Sequence, residues 1–279
     1  MAAAENLVDT LALERIEVNL FRGVAPFDWG PRIFGGLVIG QALMAAYRTV
    51  EDRLCHSLHC YFIRPGDPRV PVLYEVDRAR DGKSFTTRRV TAIQHGEQIF
   101  NLAASFQVDI AGFEHQDPMP SAPPADELPA DPFDDDRSRP IDMRWVGGER
   151  FQDPPVAGPP EQLVWMRAVE PLPADLALQQ AALAYASDMS LLSTSMRPHA
   201  VNWRTPGLQT ASLDHAIWFH QPSNFNDWHL YVQSSPSASG ARGFNLGRIF
   251  NEDGRLIASC AQEGLMRLHH AGEAAIPRS

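Results

Sequence analysis

With 279 residues, 44% of them hydrophobic, the chain is long enough to bury one large core or two ordinary ones. Its formal net charge of -10 excludes a general nucleic-acid binder, which needs a basic surface to neutralise phosphates. No run approaches the ~20 uninterrupted apolar residues of a membrane helix, and Cys55, Cys60 and Cys260 lack both an even count and CxxC spacing, so a reducing cytoplasm is expected.

The N-terminal "MAAAENLVDTLALERIEVNLF" has no basic leader ahead of an apolar block, so no secretory signal is expected. Its Leu7, Leu11 and Leu20 predict an amphipathic helix packed on the body. The stretch "GGLVIGQALMAAYRTV" (35–50) predicts a helix apolar nearly all round, which must be enclosed on most sides. Strands follow at 56–64, 70–79, 84–94 and 98–108, with "QHGE" (94–97) as a hairpin turn. His56 and His59 face opposite ways on the first of these, so no metal site is expected there. Residues 115–160 are rich in proline and aspartate, and predict an extended connector lying along the surface.

A second apolar helix runs through "DLALQQAALAYASDMSLL". Leu178, Ala181, Tyr185, Asp188 and Leu192 share one of its faces, four positions suited to a core and one carboxylate. Asp188 is either a solvated aspartate at a frayed helix end or a group made more basic by burial and by the negative end of the helix. Strands are predicted at 208–220, 228–235, 242–250 and 256–267, with "NEDG" (251–254) as a turn. In the first, alternation groups Thr210, Ser212, Asp214 and Ala216 against Gln209, Ala211, Leu213, His215, Ile217 and Phe219. Asp214 and His215 therefore cannot hold each other as a dyad. In the last, Gln262 is the one polar side chain among Leu256, Ala258, Cys260, Gly264 and Met266, either bonding a neighbouring backbone or orienting a water or substrate.

The two halves repeat one another. "YFIRP" (61–65) and "WFHQP" (218–222) are offset by 157, Phe85 and Phe244 by 159, and Gly96 and Gly254 by 158. An enclosed helix wrapped by a long antiparallel sheet, twice over, gives an α+β chain built as a double hotdog: repeat one over 1–114, the connector over 115–160, repeat two over 161–279. No GxSxG elbow, GxGxxG turn or GxxxxGK[ST] loop is present, so no nucleotide cofactor is supported.

"FGGLVIGQAL", "HSLHCYFIRPGD", "RDGKSFTTRRVTAIQHGEQIF", "SFQ…GFEHQ", "YASD", "LDHAIWFH", "ARGFNLGRIF" and "ASCAQEGLMR" resemble, in this order, the type II acyl-CoA thioesterases, over essentially the whole chain outside 121–160. The resemblance implies a double hotdog that hydrolyses medium- to long-chain acyl-CoA to fatty acid and CoA, without a cofactor or metal. It places the catalytic group on Asp188, Ser212 and Gln262, holding a water that attacks the thioester directly. Relatives commonly have threonine where this chain has Ser212. At offsets of 158 and 157, Ala104 and Cys55 stand opposite Gln262 and Ser212, so one site per chain is expected. Gly35 and Gly36 are candidate oxyanion donors, and Arg80, Arg88, Arg242 and Arg248 are candidates for the CoA phosphates. A homo-oligomer that neither binds nucleic acid nor enters a membrane is expected. The rival readings are a hotdog enoyl-CoA hydratase or dehydratase, for which no histidine stands on the Asp188 face, and a non-catalytic acyl-CoA-binding protein.

Overall fold

Two buried helices lie side by side against one 13-stranded sheet in which every pairing is antiparallel. The computed structural model describes residues 6–25, 30–131, 140–148 and 154–269. In chain order, the first half contributes α1 (Leu7–Thr10), β1 (Glu14–Glu17), β2 (Leu20–Gly23), α2 (Gly35–Tyr47), β3 (Leu54–Phe62), β4 (Val72–Asp81), β5 (Phe85–Gln94) and β6 (Glu97–Gln107). The second contributes β7 (Ile141–Trp145), β8 (Glu161–Ala168), α3 (Leu176–Ser187), α4 (Ser193–Met196), β9 (Leu208–Ser212), β10 (Asp214–Phe219), β11 (His229–Ser239), β12 (Arg242–Asn251) and β13 (Leu256–Leu268).

The strand order is β1-β2-β4-β5-β6-β3-β10-β13-β12-β11-β8-β7, with β9 off this path against β13. Followed inward from either end, the two halves present the same sequence of elements and meet at the β3–β10 pair. This is the double hotdog expected from the duplicated motifs. The turn chemistry agrees: His95 and Gly96 both take positive φ (52° and 76°) in the β5–β6 hairpin, and Gly254 takes 78° in the β12–β13 turn.

The two enclosed helices run antiparallel in close contact. A Cβ on Gly36 would come within 2.3 Å of the Tyr185 carbonyl, and one on Gly40 within 3.2 Å of the Ala181 carbonyl. Small residues at these points let the backbones approach, so the start of α2 lies against the end of α3. Every residue from Leu178 to Ser187 is buried, as the near absence of a polar face requires.

Three local expectations change. The N-terminal helix is a single turn capped by Asn6, after which the chain turns into β1 and β2; Leu7 and Leu11 are buried in the core, and Leu20 opens β2. Within 115–160 the chain forms β7 on the edge of the sheet, with Trp145 buried. The strand predicted over 208–220 is broken at Leu213. Against β13, Ser212 pairs with Gly264 and Ala216 with Ala261, so four steps on one side face three on the other, a bulge. The β3–β6 pair carries the matching irregularity between Cys55 and Ser57.

Candidate active site

The bulge at Leu213 decides which way Ser212 points. Unbroken alternation set Ser212 on the face opposite His215, Ile217 and Phe219. One extra residue reverses the phase, and Ser212 turns inward on the side of those three buried residues. The sequence-based face of Ser212 is thereby corrected.

Asp188 is the C-cap of α3, and the antiparallel packing of the helices brings it to the first turn of α2. Gln262 Nε2 donates to Asp188 Oδ1, and to Ser212 Oγ at 3.1 Å. Ser212 Oγ donates to the same Asp188 Oδ1 at 3.3 Å. Gly36 N–H also donates to the carboxylate. A Cβ on Gly35 would lie 2.6 Å from Asp188 Oδ2, so the missing side chain is what leaves that oxygen uncovered. The structure thus brings Asp188, Ser212, Gln262, Gly35 and Gly36 together.

Burial raises the Asp188 carboxyl above the usual aspartate range, and the bonds from Gln262, Ser212 and Gly36 hold it partly down. The local dipoles oppose one another: the C-terminus of α3 disfavours the charge, while the N-terminus of α2 favours it. α2 starts on Phe34, which has no side chain to cap the helix, so its first N–H groups are available to a carboxylate.

Residues outside the catalytic group expected from the sequence hold this aspartate in place. Tyr231 Oη donates to the Ser187 carbonyl at 2.9 Å, and the Ser187 hydroxyl lies 2.9 Å from His215 Nε2. Burial lowers the His215 pKa to about 4, so the ring is neutral at ordinary pH. The available signal was weak, namely inward alternation of polar residues on two strands.

The same geometry in the first half holds no carboxylate. An offset of 141 carries Phe34 onto Asp175 and Tyr47 onto Asp188. Asp175 caps α3, accepting from Ala177 N–H at 2.9 Å and Leu178 N–H at 3.4 Å. Tyr47 Oη donates to Gln180 and accepts from Cys55 N–H at 2.8 Å. Cys55 and Ala104 stand at the counterparts of Ser212 and Gln262, both buried.

The four nominated arginines are not gathered at the carboxylate. Arg88 is 1% exposed and donates to Thr49, to the Arg80 and Thr87 carbonyls and to Asp81. That cluster lies past the far end of α2, roughly 20 Å from Gly36 at 1.5 Å per residue. Arg88 is therefore a structural cation with no face to offer a phosphate. Arg80, whose carbonyl it binds, is exposed at that same distant end. On β12, Arg242 and Arg248 lie on the outer face, opposite buried Gly243, Asn245 and Gly247, and pair with Glu263 and Asp117.

Among the described residues no cluster of His, Cys, Asp and Glu is suited to a metal ion, and no helix is long and apolar enough to cross a membrane. Cys55, Cys60 and Cys260 are buried free thiols.

Comparison with known proteins gives a consistent picture. The family model described as acyl-CoA thioesterase matches residues 151–265, and that described as acyl-CoA thioesterase N-terminal domain matches residues 25–107. The chain is 40% identical to acyl-CoA thioesterase 2 of Haemophilus influenzae over 94% of its own length and 97% of the relative. It superposes on the crystal structure of the acyl-CoA thioesterase II TesB2 from Mycobacterium marinum with a TM-score of 0.82 and 44% identity, covering 96% of this chain and all of that one. A protein of unknown function with a hot dog fold from Alicyclobacillus acidocaldarius, 21% identical, shares the fold with a TM-score of 0.80 over 95% of this chain and 98% of that one.

Proposed function

The chain belongs to the acyl-CoA thioesterase family, and from that premise we propose that it hydrolyses medium- to long-chain fatty acyl-CoA with a water held by Asp188, Ser212 and Gln262. One observation carries this. Gln262 and Ser212 both occupy Asp188 Oδ1, which fixes the carboxylate plane and turns Oδ2 toward Gly35, where no side chain covers it.

In this mechanism Oδ2 takes a proton from the water as its oxygen attacks the thioester carbonyl carbon. The tetrahedral intermediate collapses by breaking the C–S bond. The CoA sulfur leaves as a thiolate and recovers the proton from Asp188. A thiolate leaves readily, so no acyl-enzyme is needed. Gly36 N–H is occupied by the carboxylate, which makes it part of the base's seat. Gly35 N–H, at the first position of α2, is the proposed oxyanion donor.

The test follows thiol release across acyl-CoAs of increasing chain length, with mass spectrometry of the protein during turnover. Ser212→Ala is expected to slow kcat about tenfold, the scale of one hydrogen bond to a charged group, with no acylated protein. Abolished activity together with an acyl-serine trapped in the wild type would replace the direct-water route with a serine nucleophile.

A shallow cleft beside the start of α2 is lined by Arg32, Ile33, Phe34, Leu37, Pro68 and Tyr185. Phe34, whose ring lies 2.5 Å from a Cβ built on Gly36, stacks edge to face on Tyr185 at 5.1 Å, which sets the cleft beside Gly36. We place the thioester entrance here, with exposed Arg32 as a further proposed contact of the CoA phosphates. Arg32→Ala is expected to raise KM several-fold for acyl-CoA and to leave it unchanged for the matching acyl-pantetheine. An equal effect on both would remove that role. The three buried free thiols support a reducing, cytoplasmic setting. Exposed Tyr61, Trp218 and Leu246 support self-association, which light scattering would read directly.

A further inference from the structure

Four buried side-chain polar atoms among the described residues have no hydrogen-bond partner: Arg53 Nε, His215 Nδ1, Asn245 Oδ1 and Gln262 Oε1. Three of the four belong to neighbouring strands around one residue of the candidate site. Asn245 on β12 stands directly opposite Gln262 on β13. His215 on β10 flanks Gln262 from the other side, next to the Ala216–Ala261 pair.

Directly opposed residues of an antiparallel pair point to the same face, with Cβ atoms about 4.5–5.5 Å apart. Both Asn245 and Gln262 are 0% exposed. Gln262 turns its Nε2 to Asp188 and Ser212, and Asn245 turns its Nδ2 to the carbonyls of Gly243 (3.3 Å) and Gln262 (3.5 Å). Each amide therefore presents a bare acceptor, and two acceptors cannot satisfy one another. The first repeat has no such deficit. There the counterpart of the Asn245–Gln262 pair is Arg88–Ala104, and the arginine brings donors that are fully used.

Two neighbouring buried acceptors are satisfied together by one small molecule with two donor hydrogens. We propose that a buried water bridges Gln262 Oε1 and Asn245 Oδ1, and that Asn245 is thereby a positioning residue for the Gln262 amide. The proposal rests on the reading of Asp188, Ser212 and Gln262 as the hydrolytic group. The Ser187 hydroxyl donates to the Ala184 carbonyl at 2.8 Å, so His215 Nε2–H donates to Ser187 Oγ and His215 Nδ1 takes no part in the bridge.

The anchor matters at one moment of the cycle. While Asp188 is ionised, its charge alone keeps the Gln262 N–H groups turned toward it. Once Asp188 carries the proton on Oδ2, Oδ1 is a neutral carbonyl oxygen that holds the Gln262 N–H less strongly, and the water side supplies the rest of the restraint. A water fixed by Asn245 keeps the amide in place for the return of the proton to the leaving sulfur.

Asn245→Leu keeps the size of the side chain and removes the acceptor. The expected result is a kcat lower by about tenfold with KM unchanged. The acid limb of the pH–rate profile moves to higher pH, because an unanchored Gln262 relaxes around the protonated acid and so favours that form of Asp188. Among the described residues, Asp188, the neutral His215 and the buried, neutral Tyr231, Cys60 and Cys260 are the titratable groups packed around this seat. In a Gln262→Ala background the same substitution adds nothing, since its effect passes through the amide. A high-resolution crystal structure of the wild-type enzyme shows an ordered water on both oxygens. Wild-type kcat with an unmoved acid limb in Asn245→Leu, an additive loss on Gln262→Ala, or a crystal structure with no water there overturns the proposal. A Gln262→Ala enzyme with wild-type kcat overturns the triad reading itself and takes this proposal with it. A slow Gln262→Ala beside a fast Asn245→Leu defeats the Asn245 role alone.

Discussion

Asp188→Asn is expected to lower kcat for thioester hydrolysis by about 10²–10⁴-fold, the usual contribution of a positioned general base, and at the same time to raise the thermal midpoint at neutral pH. The activity half follows from chemistry: an amide cannot take the proton from water. The stability half follows from the sign of the pKa shift. Burial raises the Asp188 carboxyl in the folded state, so the fold prefers the protonated acid. That preference is fully present below the ordinary aspartate pKa and is lost as pH rises through the raised folded value. Above it, the native enzyme carries an ionised group that its surroundings only partly compensate. Asparagine is neutral at every pH and can still accept from Gln262 and Ser212 through Oδ1. It keeps only one acceptor oxygen where the carboxylate had two, which offsets part of the gain. The stability difference should therefore be largest at neutral pH and vanish toward acid pH. Thermal unfolding of both proteins across pH, beside thiol-release kinetics, reads the two halves together. A mutant less stable at every pH would mean that the seat is built for the charge, and wild-type kcat would mean that Asp188 is not the base.

Much of this arrangement was legible in the sequence because it is written in periodicity and duplication. Helices with almost no polar face, such as 35–47 and 176–187, have to be enclosed. Residue pairs at nearly constant offset require two similar halves, and the sheet order returns them as matching series of strands. What the sequence left hidden lies at points where one residue changes a direction. Strand alternation assumes an unbroken ladder, so the bulge at Leu213 put Ser212 on the wrong face. β7 is five residues of alternation set among prolines and aspartates, too short a signal to read. Arginine counts say nothing of distance, and Arg88 turned out to be spent on Thr49 and Asp81 beyond the far end of α2. The placement of Asp188 against Gly36 depends on two helices running antiparallel, which no local pattern encodes.

Gly35 and Gly36 adjoin in sequence, yet alanine at each should fail in a different way. At Gly36 the new Cβ would lie 2.3 Å from the Tyr185 carbonyl oxygen and 2.5 Å from the Phe34 ring. That carbonyl belongs to the backbone of a helix buried from Leu178 to Ser187 and cannot step aside, so α2 and α3 must separate. Overpacking of this kind costs about 1–3 kcal/mol. It also draws the Gly36 N–H away from Asp188, so both the thermal midpoint and the activity of Gly36→Ala should fall. At Gly35 the new Cβ would lie 2.6 Å from Asp188 Oδ2 and 2.9 Å from the Phe62 ring. Both neighbours are ends of side chains that can turn, and alanine suits a helix better than glycine by up to about 1 kcal/mol. Gly35→Ala should therefore lose less of its thermal midpoint than Gly36→Ala, while its methyl pushes Oδ2 out of register and covers the space in front of it. A displacement of about 1 Å at a reacting group is enough to cost 10²-fold in rate, and a loss of that order is expected in kcat. Thermal unfolding and thiol release on the two alanine variants separate the cases. An active Gly35→Ala would show that the water is not taken at Oδ2, and would move the attacking side of the carboxylate to the oxygen shared by Gln262 and Ser212.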